Sequence, residues 1–293
     1  MKNFQTGILD DVPAHASFLY FTLKAGQRAD KTLLSLRDAV DGKRTVIGLG
    51  LSLIHALGGE IQGMKKFPVF SGPGFDIPAS PKALWLWLRG DDPGEIYLRS
   101  LKLEKILAPA FHPDSAVNAY RYDIGRDLSG YEDGTENPTG ADALKAAFAS
   151  GTQTGLDGSS FVAIQKWVHD FDALDNMSQK ERDNVMGRRL SDNEEIEDAP
   201  ESAHVKRTAQ EDFSPEAFVL RRSMPWHDSQ QGGLMFLAFG ASLDAYEALL
   251  KRMTGADDGI IDAVFKFTRP VDGSYFWCPP LRHGKPDLSA LGM

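Results

Sequence analysis

The sequence holds a single cysteine, Cys278, in 293 residues. One thiol cannot close an internal disulfide or build a structural zinc site alone, so neither kind of scaffold is expected. There is also no run of 18 uncharged apolar residues, which excludes a membrane-spanning helix. No apolar segment and no twin-arginine leader follow the start, so export is not expected and a cytoplasmic protein is the default. Basic charge is short as well: 32 Lys and Arg stand against 41 Asp and Glu, a net charge of −9. That balance argues against a general nucleic-acid binder or an anionic-membrane binder. What remains is 42% hydrophobic and 25% charged, the composition of an ordinary globular protein, with length for one large or two medium domains.

Hydrophobic periodicity predicts a repeated order of elements. Residues 15–24 read as an aromatic-rich strand and 28–41 as an amphipathic helix carrying Leu33, Leu34, Leu36 and Val40. A strand over 45–51 follows. The stretch 64–81, with Pro68, Gly72, Pro73, Gly74, Pro78 and Pro81, reads as a loop. Then come a buried strand at 83–90, a helix at 94–107 and an alternating strand at 117–124. Strand, helix, strand, strand, helix, strand is the ferredoxin-like order. A second pass gives strands at 161–168, 218–225 and 233–240, helices at 178–188 and 243–253, and a last strand at 264–268. Ser178 and Glu181 form a capping-box pattern. The expected class is therefore α+β, with duplicated ferredoxin-like (βαββαβ) halves at 1–125 and 126–293 joined as one integrated, barrel-like unit.

Three segments carry candidate chemistry. Gly130-Tyr131-Glu132-Asp133-Gly134-Thr135-Glu136-Asn137-Pro138 is too rich in breakers for a helix or strand interior, and it frames one aspartate with glycines. A plain surface turn would also explain it. The polar connection 189–216 is long for a compact domain and contains His204 in Ala203-His204-Val205-Lys206-Arg207. Val219-Leu220-Arg221-Arg222-Ser223-Met224-Pro225 places two arginines on a strand, where alternation sends them to opposite faces.

In that order and spacing, Gly130-x-x-Asp133-Gly134, His204 with its basic pair, and Leu220-Arg221-x-Ser223-Met224-Pro225 resemble the dye-decolorizing peroxidase family, which binds haem. The likeness extends to the Gly233–Phe239 run and to the tail from Met253 to Pro270, and the compact length resembles the short bacterial subgroup. The resemblance implies haem b (iron protoporphyrin IX) in the C-terminal half, with His204 as iron ligand. Asp262 is the candidate carboxylate on the other imidazole nitrogen. Asp133 would move a proton between the oxygens of hydrogen peroxide, and Arg221 would stabilise the charge that develops and keep Asp133 ionised. Asn137 and Ser223 are candidates for ordering water, Leu234 and Phe236 for apolar lining, and Arg188 for a haem propionate. A carboxylate base titrates near pH ~4, so an acidic optimum is expected. The remaining histidines, His169 among them, match no motif and read as structural or exposed. The implied function is a peroxidase that oxidises dyes, phenolics or other small reductants in one-electron steps. The alternative is a haem carrier or store. A homo-oligomer, a dimer or larger, is expected.

Overall fold

The computed structural model describes residues 3–73, 75–151 and 155–293; Gly74 of the predicted loop lies outside them. The chain runs β1 (His15–Leu23), α1 (Asp30–Ala39), β2 (Thr45–Leu49), α2 (Leu51–Ala56), β3 (Phe70–Gly72), β4 (Phe75–Ile77), β5 (Leu84–Gly90), α3 (Pro93–Leu107) and β6 (Phe111–Tyr120). It continues α4 (Gly140–Ala147), β7 (Ser160–His169), α5 (Phe171–Asp175), α6 (Gln179–Met186), α7 (His204–Arg207), β8 (Leu220–Arg221), β9 (Met224–His227), β10 (Gly232–Gly240), α8 (Asp244–Met253), β11 (Thr268–Pro270) and β12 (Ser274–Cys278). Neighbouring strands follow the circuit β7-β12-β2-β5-β1-β6-β9-β10, and a further pairing of β10 with β7 closes it into a barrel. The fold is thus mixed α and β around a closed sheet. Among the described residues no helix is long and apolar enough to cross a membrane.

Strand parity explains how one sheet serves two cores. On β5 every residue from Leu84 to Arg89 is buried. Trp85 and Trp87 point into the barrel, where they stack on each other and on Phe18 and Phe239. Leu84, Leu86 and Leu88 point outward into a cluster with Leu33 and Leu36 of α1 and Ile96, Leu103 and Leu107 of α3. Alternate residues of a strand face opposite sides, so an unbroken apolar run marks a strand covered on both. The same rule sorts the other half. Val162, Ile164 and Val168 of β7 and Met235, Leu237 and Phe239 of β10 fill the barrel. Gln165, Trp167, His169, Leu234 and Phe236 therefore face outward, and that outer face holds the site.

The structure departs from the sequence expectations at several places. The strand expected at 117–124 ends at Tyr120, because Asp123 and Gly125 turn the chain with φ of 48° and 118°. The strand expected at 218–225 is two short strands, because the Arg222 guanidinium leaves the sheet for the carbonyls of Ile8, Leu9 and Asp10. Residues 263–266 are a tight turn rather than part of a strand, since Asp262 caps the Val264 N–H. Strand β12, which was not expected, pairs with both β7 and β2 and joins the two halves of the sheet.

Candidate active site

The outer face of β7 and β10 bounds a cavity with about 1030 Å³ of empty space, counted out to open solvent. Most of its wall is apolar, with Trp167, Leu234, Phe236, Met253 and Phe267 among the lining. His204, Asp133 and Arg221, from three segments distant in sequence, line the same space.

His204 begins the short helix α7, which is pinned from behind. Arg207 makes two 2.8 Å contacts to Asp258 and donates to the Arg252 carbonyl at 2.7 Å, tying α7 to the end of α8. Those bonds outweigh the small cost of burial and hold the Asp258 carboxyl below the usual carboxylate range. His204 Nδ1 lies 2.7 Å from Asp262 Oδ2, and the other Asp262 oxygen accepts the Val264 N–H at 2.9 Å. Asp262 is almost fully buried. A buried carboxylate on Nδ1 fixes the ring's orientation and tautomer, which leaves Nε2 as the free ligand atom.

The Gly-framed loop presents Asp133. Gly134 sits at φ 82°, and a Cβ there would come within 2.7 Å of the Asn137 amide nitrogen. Glycine is required because a side chain would be strained by the backbone and would strike Asn137. Asn137 cannot move freely. Its Oδ1 accepts the Arg221 N–H at 2.7 Å and its Nδ2 donates to the Arg221 carbonyl at 3.0 Å. The loop is thereby clamped to β8, and Asp133 Oδ1 stands 3.4 Å from Arg221 Nη1. Both side chains keep some exposure, 19% and 18%, so the pair faces the cavity rather than the core.

The other candidates separate into two groups. Leu234 and Phe236 lie on the cavity wall. Ser223 lies on a smaller recess shared with Asp133, Asn137 and Arg221, and its buried hydroxyl has no partner. Arg188 faces a neighbouring recess instead, where its guanidinium is held by Glu136 at 2.6 Å and Glu195 at 2.5 Å. Sequence reasoning assigned no part of the site to His169 or Asp127, yet both line the cavity as a pair, His169 buried and Asp127 half-buried, with Nε2 to Oδ1 at 2.9 Å. Burial pushes the Asp127 carboxyl up, but bonds and charge from His169 and bonds from Ser129 more than offset it, so it lies below the ordinary value.

An iron porphyrin fits these residues. Among the described residues no three His, Cys, Asp or Glu side chains stand close enough to hold a bare metal ion, whereas one free imidazole over an apolar slot suits a metal that brings its own equatorial ligands. Trp167 Nε1, Gln165 Nε2 and Arg221 Nε are buried without partners on residues of this wall, which is consistent with a polar-edged guest completing them.

The chain belongs to the Dyp-type peroxidase family, whose C-terminal model matches residues 125–283. A dye-decolorizing peroxidase from Mycobacterium tuberculosis is 28% identical over 256 residues, covering 85% of this chain and 76% of that protein. A dyp-type peroxidase protein from Shewanella oneidensis superposes with a TM-score of 0.88 at 24% identity, covering 99% of this chain and 98% of that one, and shows the shared fold. A DypB variant from Rhodococcus jostii RHA1, solved in complex with heme, is 25% identical with a TM-score of 0.83, covering 92% and 94%.

Proposed function

We propose that this protein is a haem-dependent peroxidase that reduces hydrogen peroxide and oxidises small reductants such as dyes or phenolics. The observation that carries the reading is the convergence of the His204–Asp262 pair and the Asp133–Arg221 pair on one largely apolar cavity. His204 Nε2 would hold the iron, and Asp262, on Nδ1, would make the imidazole a stronger donor. Haem b, when bound, supplies the redox centre that takes electrons one at a time from two reductant molecules. Leu234 and Phe236 would supply apolar wall to the porphyrin and exclude water. Arg188, held by Glu136 and Glu195 in the neighbouring recess, would be the cation available to a propionate.

The remaining residues handle the peroxide. Asp133 takes the proton from one oxygen and delivers it to the other, which leaves as water. Arg221 stabilises negative charge as the oxygen–oxygen bond breaks. Asn137 acts on this pair through the Arg221 backbone, and the unpaired Ser223 hydroxyl orders a water in the recess beside it. A haem store would need His204 and the slot but would gain nothing from a charged pair in the wall, so storage is the weaker reading. We further read residues 1–125 and 126–293 as two ferredoxin-like halves of one unit, working in the cytoplasm as a dimer or larger homo-oligomer.

The test is spectroscopic. The purified protein, offered haem, should develop a Soret band and then oxidise a dye only when peroxide is added, fastest at acidic pH. His204→Ala should weaken haem uptake or shift the band. A protein that takes up no haem when offered it overturns the reading.

A further inference from the structure

The cavity wall holds a second polar pair to which the peroxide chemistry gives no task. His169 closes β7 and Thr268 opens β11, and the two stand directly across the sheet from each other. His169 Nδ1 lies 2.7 Å from Thr268 Oγ1. Thr268 Oγ1 also lies 3.1 Å from the Val168 carbonyl, which keeps the hydroxyl on the sheet. His169 Nε2 lies 2.9 and 3.0 Å from the two oxygens of Asp127. Asp127 Oδ2 also accepts the Ser129 N–H at 3.0 Å and its hydroxyl at 2.6 Å, the pattern of an ionised carboxylate. His169 thus bridges Asp127 and Thr268, a polar link set in an apolar wall.

Its placement suggests the use. Asp127 starts the loop that leads to Asp133: its N–H donates to Tyr131 O, its carbonyl accepts from Gly130, and the Asp133 N–H reaches Gly125 O. At the other end, Thr268 follows closely on Asp262, the partner of His204, across the turn Ala263–Lys266. One short segment thus touches His204 through Asp262 and the Asp133 loop through His169.

We propose that His169 and Asp127 are positioning residues that latch the Asp133 loop to the β7–β11 strand pair and so set where the Asp133 carboxylate meets peroxide. This rests on the role given to Asp133 above. The latch touches neither substrate. It acts by holding a loop whose displacement by about 1 Å would cost up to roughly a hundredfold in rate.

Two substitutions at one position separate the ends of the latch. In His169→Gln the amide nitrogen stands near the place of Nε2 and still donates to Asp127. In His169→Asn it stands near the place of Nδ1 and reaches only Thr268. Hydrogen exchange of the haem-free protein should rise about tenfold over residues 127–133 in His169→Asn, with α3 unchanged, and stay near the parent in His169→Gln. In the haem-loaded protein, His169→Asn should lose about tenfold to a hundredfold in kcat/KM for peroxide and keep its kcat/KM for the dye, and His169→Gln should recover most of the loss. If His169→Asn yields no folded protein, Asp127→Asn is read by the same two measurements with the same expected directions. Equal exchange in parent and variants overturns the latch, as does an equal fall in kcat/KM for both substrates. The exchange arm needs no haem, so a protein that bound none would sink the peroxidase reading while the loop measurement still decided the latch.

Discussion

The outer face of the barrel is built twice with opposite results. Over β1, β2 and β5 it presents Leu19, Ile47, Leu84, Leu86 and Leu88, and α1 and α3 close on them to form solid core. Over β7 and β10 the same parity presents Gln165, Trp167, His169, Leu234 and Phe236, and a cavity is left. The sheet decides which residues point outward, and what those residues are decides whether the space is filled. The cover differs too. Helix α3 runs from Pro93 to Leu107 with an Asp92 cap, whereas α7 is four residues long, with few hydrogen bonds of its own, and is held as well by the Arg207–Asp258 contact. So short a helix does not stand without tertiary contacts. A long helix packs; a short one delivers a single side chain.

The widest expected gap between the two faces is in rate. Asp133→Asn should leave haem uptake near normal and slow the reaction with peroxide by on the order of 10²–10⁴-fold, the usual yield of a positioned acid–base group. Arg221→Ala should cost on the order of 10²–10³-fold, as loss of one charge-stabilising donor does. Stopped-flow measurement of the peroxide step checks both, and parental rates in both variants would remove the assigned roles. No change on the filled face should reach the peroxide step at all.

Stability should show the reverse order. Leu86 is fully buried in the filled face, so Leu86→Ala should destabilise the haem-free protein by about 2–5 kcal/mol. Leu234 keeps partial exposure toward the cavity. Leu234→Ala should cost the same haem-free protein less than half as much, because there is little packed volume to lose. Denaturant unfolding of the two variants side by side measures the difference. Equal losses would mean that the cavity wall is packed as tightly as core.

Much of this was legible in the sequence, for physical reasons that vary by element. Leu84 to Leu88 is apolar at both parities, which only a doubly covered strand needs. Asp133, His204 and Arg221 sit in segments whose spacing carries a resemblance, and Asp262 lies in the tail from Met253 to Pro270 that shares it. His169 was not legible as part of a site, since its partner Asp127 is far off in the chain and no local pattern links them. The available signal was parity: on 161–169 the outward residues are Phe161, Ala163, Gln165, Trp167 and His169, and two polar groups on a core-facing side need partners. Strand β12 was missed because Ser274–Cys278 is short, and its aromatic residues, buried at both parities, show no alternation. The start of β11 was misplaced because the Asp262 cap turns residues that would otherwise read as strand.

The finest contrast is between two half-buried aspartates, Asp127 in the cavity wall and Asp272 beside β12. For Asp127, partner bonds and charge outweigh burial and the folded carboxyl is lowered. For Asp272, burial outweighs the Lys166 N–H that it accepts at 2.5 Å and the folded carboxyl is raised. A lowered group stabilises the fold above its unfolded value, near pH ~4, and that contribution fades as pH falls through the lowered folded value. A raised group does the opposite: its ionisation opposes folding at neutral pH, and the penalty is relieved as pH falls through the raised value. Asp127→Asn should therefore lower the unfolding midpoint at neutral pH, with the gap to the parent closing as pH drops below about 4. Asp272→Asn, whose amide oxygen can still accept the Lys166 N–H, should raise the midpoint at neutral pH and lose that advantage on acidification. Thermal unfolding of the parent and both variants from about pH 7 down to about pH 3 reads the two signs. If both gaps moved the same way with pH, the His169–Asp127 pair would do nothing for its carboxylate that the surroundings of Asp272 do not.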